Sequence, residues 1–398
     1  YCPVFPVFAF HLLEKRLAPE YITDISFVLQ FQLKKRVQIM KSSLQNALQQ
    51  VSAAVNRLIA EDSFPSAVFP QCLQDAVRSY PVRGGKRLRP ALLLWACEAL
   101  GGKPEEALCA AAAVEVYHSW TLVHDDIIDE DDFRRGQPST HAELADFARS
   151  HYRRSENLCR KFGRDFAILA GDIQQSWAVD LMMRTADRGC PAQLVMQLTR
   201  ALLQTVSRGL ISGEALDVEV PMREWDAVSR QDILRVIDGK TVCLLKFSVQ
   251  AGGAIALRDA DMNRPELQVL GSYAEGLGIA FQLRDDYLGV FGNAETFGKP
   301  LCSDFQEGKP TLLFREAMSR LSEAGRRELL SLTALPEYPM ETVEKIRRLL
   351  RESGAAEQLL GHIECYTELA LKSLEHLPDS SGRQLLSDLA DYLLKRNV

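Results

Sequence analysis

The sequence predicts an all-α fold, one large helical bundle, and three observations carry that expectation. Beyond Met40, apolar residues recur at helical spacing through segment after segment, and no stretch alternates as a half-buried strand would. Residues 108–117, Leu-Cys-Ala-Ala-Ala-Ala-Val-Glu-Val-Tyr, are apolar nearly all round, the mark of a helix at the centre of a bundle. Two long apolar runs end in aspartate pairs, Asp125-Asp126 and Asp285-Asp286, which sets acidic groups at the bundle's mouth. A length of 398 residues would suit two or three domains, but no Pro/Gly/Ser linker or low-complexity tract divides the chain. One domain over residues 40–398 is therefore expected, with 46% hydrophobic and 25% charged residues to build a large core and its solvated surface.

Taken in order, residues 1–39 read as an upstream extension without a catalytic part. Its opening, Tyr-Cys-Pro-Val-Phe-Pro-Val-Phe-Ala-Phe-His-Leu-Leu, is too short and proline-broken to span a bilayer. It lacks the basic leader of a secretory signal, and Glu14, Glu20 and Asp24 argue against a transit peptide. The 3.6-residue period then predicts helices over 41–61, 67–79, 87–100, 105–129, 164–187, 192–216, 230–257 and 265–291, with shorter ones to the C-terminus. Gly101-Gly102 supplies a left-handed stop to the third of these. Loops are expected at 130–141, which holds Arg134 and Arg135, and at 293–309, rich in glycine and lysine. No repeat period is visible.

The charge of -6 gives no reason to invoke nucleic acid or an anionic membrane, and no transmembrane segment is expected. Nine cysteines are scattered without paired metal-ligand spacing, a pattern of reduced thiols in a cytoplasmic protein.

The chemistry resides in the aspartates and in scattered cations. In a helix Asp125 and Asp129 lie four apart on one face and can reach one cation cluster, while Asp126 points about 100° away. Carboxylates stacked at a helix C-terminus oppose the macrodipole and need cations to compensate them. Oxygen-rich sites of this kind suit Mg2+ completed by substrate phosphate, so the candidate metal residues are Asp125, Asp126 and Asp129, with the second aspartate pair as the other wall of the site. The turn Gly84-Gly85-Lys86-Arg87-Leu88-Arg89-Pro90 delivers Lys86, Arg87 and Arg89 to a helix N-terminus, where free backbone donors and a positive dipole end favour phosphate. Arg134, Arg135, Lys240, Lys299 and Lys309 each stand beside a glycine or a helix end rather than in a charge run. His118, seven residues before Asp125 and on a similar face, could donate to a diphosphate.

These residues resemble, over about 45–395, the all-trans isoprenyl (polyprenyl) diphosphate synthases, especially the short-chain geranylgeranyl and farnesyl diphosphate synthases. The motifs are the Gly-Gly-Lys-Arg-x-Arg-Pro turn, both Asp-rich stretches, Arg134-Arg135-Gly136, Leu-Ala-Gly-Asp at 169–172, Gly-Lys-Thr at 239–241 and Gly-Lys-Pro...Ser-Asp...Glu-Gly-Lys at 298–309, all in the family's order. The resemblance implies an isoprenoid synthase-type single-domain helical bundle with a central active-site cavity, usually a homodimer, that joins isopentenyl diphosphate to an allylic diphosphate. It implies that Asp125 and Asp129 hold two Mg2+ ions and Asp285 a third. Lys86, Arg89, His118 and Arg135 would bind isopentenyl diphosphate, and Arg134, Lys240, Lys299 and Lys309 the allylic leaving group. Thr241 and Gln282 would lie near the developing allylic cation.

Three departures from the family pattern stand out. Gly289 occupies the place of a third aspartate in Asp285-Asp286-Tyr287-Leu288-Gly289, which leaves Asp285 intact but weakens its outer support. Glu214, in Gly-Glu-Ala-Leu-Asp217, stands where the family more often has glutamine. Residues 142–163 make a longer link than usual and read as a surface insertion. Product length should be set below the first aspartates, where Trp120, roughly 7.5 Å down the axis from Asp125, would floor the tunnel with Thr121 beside it and Tyr117 deeper. A twenty-carbon product is favoured over fifteen. A class I terpene cyclase has no use for the cationic turn at 84–90, and a non-catalytic partner subunit would tend to lose the aspartates that this chain keeps.

Overall fold

The structure, a computed structural model, describes residues 42–134, 136–293 and 301–394. By compactness the chain divides into residues 1–47 and residues 48–398, and everything below concerns the second unit. The expected extension over 1–39 lies outside the described residues, as do Arg135 and Lys299.

Helices dominate. The helix over 48–61 (α1) is followed by α2 (Gln71–Val82), α3 (Leu88–Ala99) and α4 (Pro104–Ile128). A two-stranded antiparallel hairpin, β1 (Phe133–Arg134) and β2 (Gln137–Pro138), leads into α5 (Thr140–Tyr152) and α6 (Glu156–Met183). Next come α7 (Ala192–Ala201) and α8 (Ser207–Glu219), joined by a π turn at Leu202–Val206. Likewise α9 (Arg230–Ile237) and α10 (Cys243–Leu257) are joined by a π turn at Asp238–Val242. The long α11 (Pro265–Phe291) carries the second aspartate pair. The short helices α12 (Ser303–Gln306), α13 (Leu312–Arg320) and α14 (Glu323–Leu330) precede α15 (Met340–Glu352), α16 (Ala355–Leu374) and α17 (Ser381–Leu394).

α4 is the central helix. It packs against α3, α6 and α10, and its run Ala110–Val114 is wholly buried, as its apolar circumference requires. Alanines at these positions let the neighbouring helices approach closely. The expected stop after α3 is a Schellman motif: Gly101 is left-handed at φ 78°, its N–H meets the Glu98 carbonyl, and the Gly102 N–H meets that of Cys97.

The segment 142–163, expected as a surface insertion, is largely exposed but well ordered in its backbone pattern. Most of it is helix, α5 and the first turns of α6, and α6 begins eight residues before the predicted 164. The reason is a small-residue seam: Leu144, Ala145, Ala148 and Cys159 are buried, and a Cβ on Gly163 would collide with the His141 carbonyl and the Ala145 N–H. A single glycine therefore brings α5 against α6. The hairpin at 133–138 also went unforeseen, since two-residue strands leave no alternation to read.

Candidate active site

Two loci separated in sequence, the end of α4 and the π turn before α10, meet around a set of ion pairs. Asp125 and Asp129 share the α4 face that opens to the site, as their spacing requires. Facing them, the π turn at Asp238–Val242 widens the helix by one residue and turns Lys240 and Thr241 inward, the kind of local irregularity that recurs at functional sites. Close passage of α8 makes the meeting possible: a Cβ on Gly213 would stand 2.7 Å from the backbone of Gly239. With no side chain at that crossing, Glu214 and Asp217 of α8 reach Lys240.

Lys240 Nζ lies 3.0 Å from Asp125 Oδ1, 2.9 Å from Glu214 Oε2 and 2.7 Å from Asp217 Oδ2. Lys309 Nζ lies 3.2 Å from Asp129 Oδ1, 3.4 Å from Asp217 Oδ2 and 2.5 Å from Glu307 Oε2. Burial would lower the proton affinity of Lys240, yet Asp125, Asp217 and Glu214 hold it above the ordinary lysine range. Burial likewise opposes Asp125, and Lys240 and Arg134 overcome it to hold that carboxyl below the usual range. Glu214 goes the other way: burial, against the opposing pull of Lys240 and with Asp125 nearby, pushes it up to about 7. Burial also raises Asp129, with Lys309 opposing.

Asp126 departs from its place among the expected metal residues. Only 1% exposed, it accepts from the Tyr80 hydroxyl and from Arg134 Nε, so both its oxygens serve protein donors. The 100° turn away from Asp125 directs it into the wall instead of the cleft. Arg134 also reaches Asp125 at 3.2 Å, and so ties the hairpin to the end of α4.

Arg87 is a second correction. Expected with the phosphate-binding cations, it turns inward with 2% exposure, and its guanidinium reaches Glu115 at 2.5 Å, Asn56 Oδ1 at 2.8 Å and the Pro81 carbonyl at 2.6 Å. It caps α3 in a left-handed conformation, φ 48°, which carries the side chain below the helix start. Glu115 is the one carboxylate in the apolar stretch 108–117, and a buried carboxylate requires a partner. Lys86 stays exposed and Arg89 half-buried at the start of α3, where the expectation put them.

On α11, Asp285 is half-buried and Asp286 buried. Burial raises Asp286 well above its ordinary value, with Asp304, Asp285 and Asp217 adding to the rise. Asp217, which contacts both lysines, is thus near enough to Asp286 to add to that rise. Gln282 bridges Asp286 to the π turn: its Nε2 donates to Asp286 Oδ1 at 3.0 Å, and its Oε1 accepts from Thr241 Oγ1 at 3.0 Å. A Cβ on Gly289 would lie 3.8 Å from Asp304 Oδ2, so a carboxylate from α12 already borders the place of the missing aspartate.

Below the aspartates, Trp120 and Tyr117 are buried and meet edge to face with ring centres 4.8 Å apart. Tyr117 shares a 2.5 Å hydrogen bond with Ser207, and Trp120 touches His124 at 5.9 Å between ring centres. Thr121 is half-buried and donates to the His118 carbonyl at 2.8 Å.

The sequence reading assigned no role to Asp217, Glu307, Asp304 or Tyr80, and it noted Glu214 only as an oddity. Glu214 and Asp217, three apart on one helix face, carried a signal. Among the described residues no three His, Cys, Asp or Glu side chains converge on a metal-ligand point. Asp125 and Asp129 offer only hard oxygen donors, which is the set that Mg2+ takes, so these residues fit that ion.

Comparison with known proteins agrees with this geometry. A family model for polyprenyl synthetase matches residues 70–351. A short chain isoprenyl diphosphate synthase of Methanothermobacter thermautotrophicus is 32% identical over 83% of this chain and 92% of its own length. A geranylgeranyl diphosphate synthase of Saccharolobus solfataricus is 32% identical over 79% of this chain and 87% of its own. Among solved structures, a geranylgeranyl pyrophosphate synthase from Corynebacterium glutamicum, complexed with isoprenyl diphosphate and magnesium, superposes with a TM-score of 0.78 at 29% identity, covering 89% of this chain and 99% of its own. With the helical fold, both aspartate walls and the family match agreeing, the chain belongs to the polyprenyl synthetase family and is a trans-prenyltransferase.

Proposed function

We propose that this enzyme condenses isopentenyl diphosphate head-to-tail with an allylic diphosphate, dimethylallyl, geranyl or farnesyl, to give a short-chain all-trans prenyl diphosphate, with geranylgeranyl diphosphate as the product. One observation carries the reading: Asp125 and Asp129 of one helix end meet Lys240 and Lys309, cations from distant segments, around a shared Asp217. Such a wall suits a leaving group of high negative charge.

Three Mg2+ ions, held by Asp125, Asp129 and Asp285, would supply Lewis-acid stabilisation of the departing diphosphate. Lys240, Lys309, Arg134 and Lys299 then bind its oxygens, while Lys86, Arg89, His118 and Arg135 hold isopentenyl diphosphate in register. Arg87 drops out of that set for the reason given above. The Thr241 hydroxyl and the Gln282 carbonyl border the allylic carbon, and the amide is oriented by Asp286, so a partial negative oxygen faces the developing cation. No protein nucleophile is required.

Trp120 with Tyr117 forms the floor that ends elongation at twenty carbons. Support comes from their burial, their edge-to-face contact and the Ser207 bond that holds Tyr117 in place. Two copies assemble through α7 and α8, where Met196, Leu203, Ile211 and Val218 stand exposed at spacings of seven or eight residues along one helical face. A cytoplasmic location is in keeping with eight free cysteines among the described residues, and no described helix is long and apolar enough to cross a membrane.

The test is incubation of the purified chain with Mg2+, isopentenyl diphosphate and each allylic diphosphate in turn, with product length read by mass spectrometry. A twenty-carbon diphosphate supports the reading, and Asp125→Ala and Asp285→Ala should each abolish it while circular dichroism stays unchanged. Hydrocarbon released without isopentenyl diphosphate would mean a cyclase. No product from the wild type would mean that the chain modulates a partner synthase.

A further inference from the structure

Each of the two lysines in the wall has as many carboxylates around it as an ammonium has protons. Lys240 takes Asp125, Glu214 and Asp217, and Lys309 takes Asp129, Asp217 and Glu307. An ammonium has three donors and no acceptor, so each lysine has one carboxylate within ion-pair distance for every N–H it carries. Asp217 belongs to both cages, and Asp125 and Asp129, the two carboxylates on the open face of α4, have one each. The lysines thus sit where a divalent cation shared by those carboxylates would have to draw its charge.

A metal ion cannot join that arrangement at no cost. At separations of a few Å in a partly dry pocket, an entering dication and an ammonium on the same carboxylate repel strongly. The ammoniums must move off Asp125 and Asp129, and each half-buried lysine, left with two of its three carboxylates, gains from an anion that takes the vacated place. Arg134 is of a different kind. Its main partner, Asp126, is 1% exposed and also bound by Tyr80, so Arg134 has an anion that no incoming cation can claim.

We propose that Lys240 and Lys309 act as resident counter-ions of the aspartate wall and are handed from Asp125 and Asp129 to the diphosphate when metal enters. This rests on the metal and diphosphate reading given above, and it adds an order to it. The enzyme alone binds divalent metal weakly, because metal must displace two ammoniums and leave each with one carboxylate fewer. With a diphosphate present, the same displacement gives each lysine a new partner. Metal and diphosphate therefore raise each other's affinity, and by linkage the two factors are equal. Asp217, shared by both cages, with Glu214 on Lys240 and Glu307 on Lys309, keeps a tether on each lysine during the exchange. Glu214 is the more telling, because a glutamine there would leave the Lys240 cage one charge short and its lysine easier to displace.

The measurement is Mn2+ binding, followed by loss of the free-ion paramagnetic signal, on the full chain with and without inorganic diphosphate. Wild type should bind Mn2+ at least tenfold more tightly in the presence of diphosphate. In Lys240→Gln, Lys309→Gln and the double variant, Mn2+ alone should bind about tenfold more tightly than to wild type, and the enhancement by diphosphate should shrink. Melting curves give a second readout that does not depend on the signal: Mn2+ alone should raise the midpoint of each folded variant more than that of wild type. The single Lys309→Gln variant keeps the test open if the double variant does not fold. Variants that bind Mn2+ alone no better than wild type, with an unchanged diphosphate enhancement, overturn the counter-ion role and leave the function standing. Absence of any Mn2+ binding to wild type with diphosphate overturns both.

Discussion

Replacement of Arg87 by methionine separates a structural cation from a substrate-binding one. Arg87 lies in the cationic turn beside Lys86 and Arg89, yet its guanidinium is buried on Glu115, Asn56 and the Pro81 carbonyl. Methionine fills most of the volume and removes the charge, which leaves Glu115, only 5% exposed, without a cation in an alanine-rich core. Breaking one side of such a buried pair costs about 3–5 kcal/mol. With an unfolding entropy near 2.1 cal/mol/K per residue, roughly 0.8 kcal/mol/K for 398 residues, the midpoint should fall by about 5 °C. The assay is a pair of measurements, thermal unfolding and the KM for isopentenyl diphosphate. Arg87→Met should lose stability with its KM little changed, and Arg87→Met with Glu115→Leu should recover most of the loss, because no charge is then stranded. An unchanged midpoint together with a KM raised tenfold or more would refute the reasoning and return Arg87 to the substrate site.

Glu214→Gln gives a pH-dependent difference. Since burial lifts the Glu214 carboxyl to about 7 from its ordinary range near 4.5, its protonated form is the stabilising one and that contribution is lost as pH rises through 7. The glutamine variant should therefore melt higher than wild type at pH 8, on the order of 1–2 °C, with the gap closing towards pH 5. Gly289→Asp meets ordinary van der Waals space but adds a carboxylate beside Asp304 and Asp286, so the metal-free protein should lose about 1 kcal/mol, with Mg2+ restoring more stability than it gives wild type, as read by melting with and without the ion. Trp120→Ala should lengthen the product by at least one five-carbon unit in the mass spectrum, and an unchanged product would remove the indole from the floor. Ile211→Glu, in the middle of the exposed stripe on α7 and α8, should halve the mass in solution seen by light scattering, and a wild-type chain that is already a monomer would refute the proposed assembly.

Local order in the chain determined the helical class, the central place of α4 and the common face of Asp125 and Asp129, because a 3.6-residue period fixes which side chains share a face wherever a helix forms. The glycine pair after α3 was equally readable, since a left-handed stop is a property of the residue itself. Motif order also named Lys240, Lys309, Thr241 and Gln282 as members of one site. Their partners were another matter. The bond between Lys309 and Asp129 spans 180 residues, and no periodicity relates the two. Arg87 and Arg89 look alike in the turn, yet a left-handed backbone at the helix cap sends one beneath α3, towards a carboxylate 28 positions away. Asp126 could be placed off the face of Asp125 by angle alone, but only the packing of α2 and the hairpin supplied Tyr80 and Arg134 to bind it. The π turns at Leu202–Val206 and Asp238–Val242 are a shift of one residue in an unbroken apolar pattern, which sequence spacing cannot distinguish from plain helix. A helical face is a local property of the chain, whereas the partner of a buried charge is decided by which distant segment arrives to share its desolvation, and that belongs to the tertiary structure.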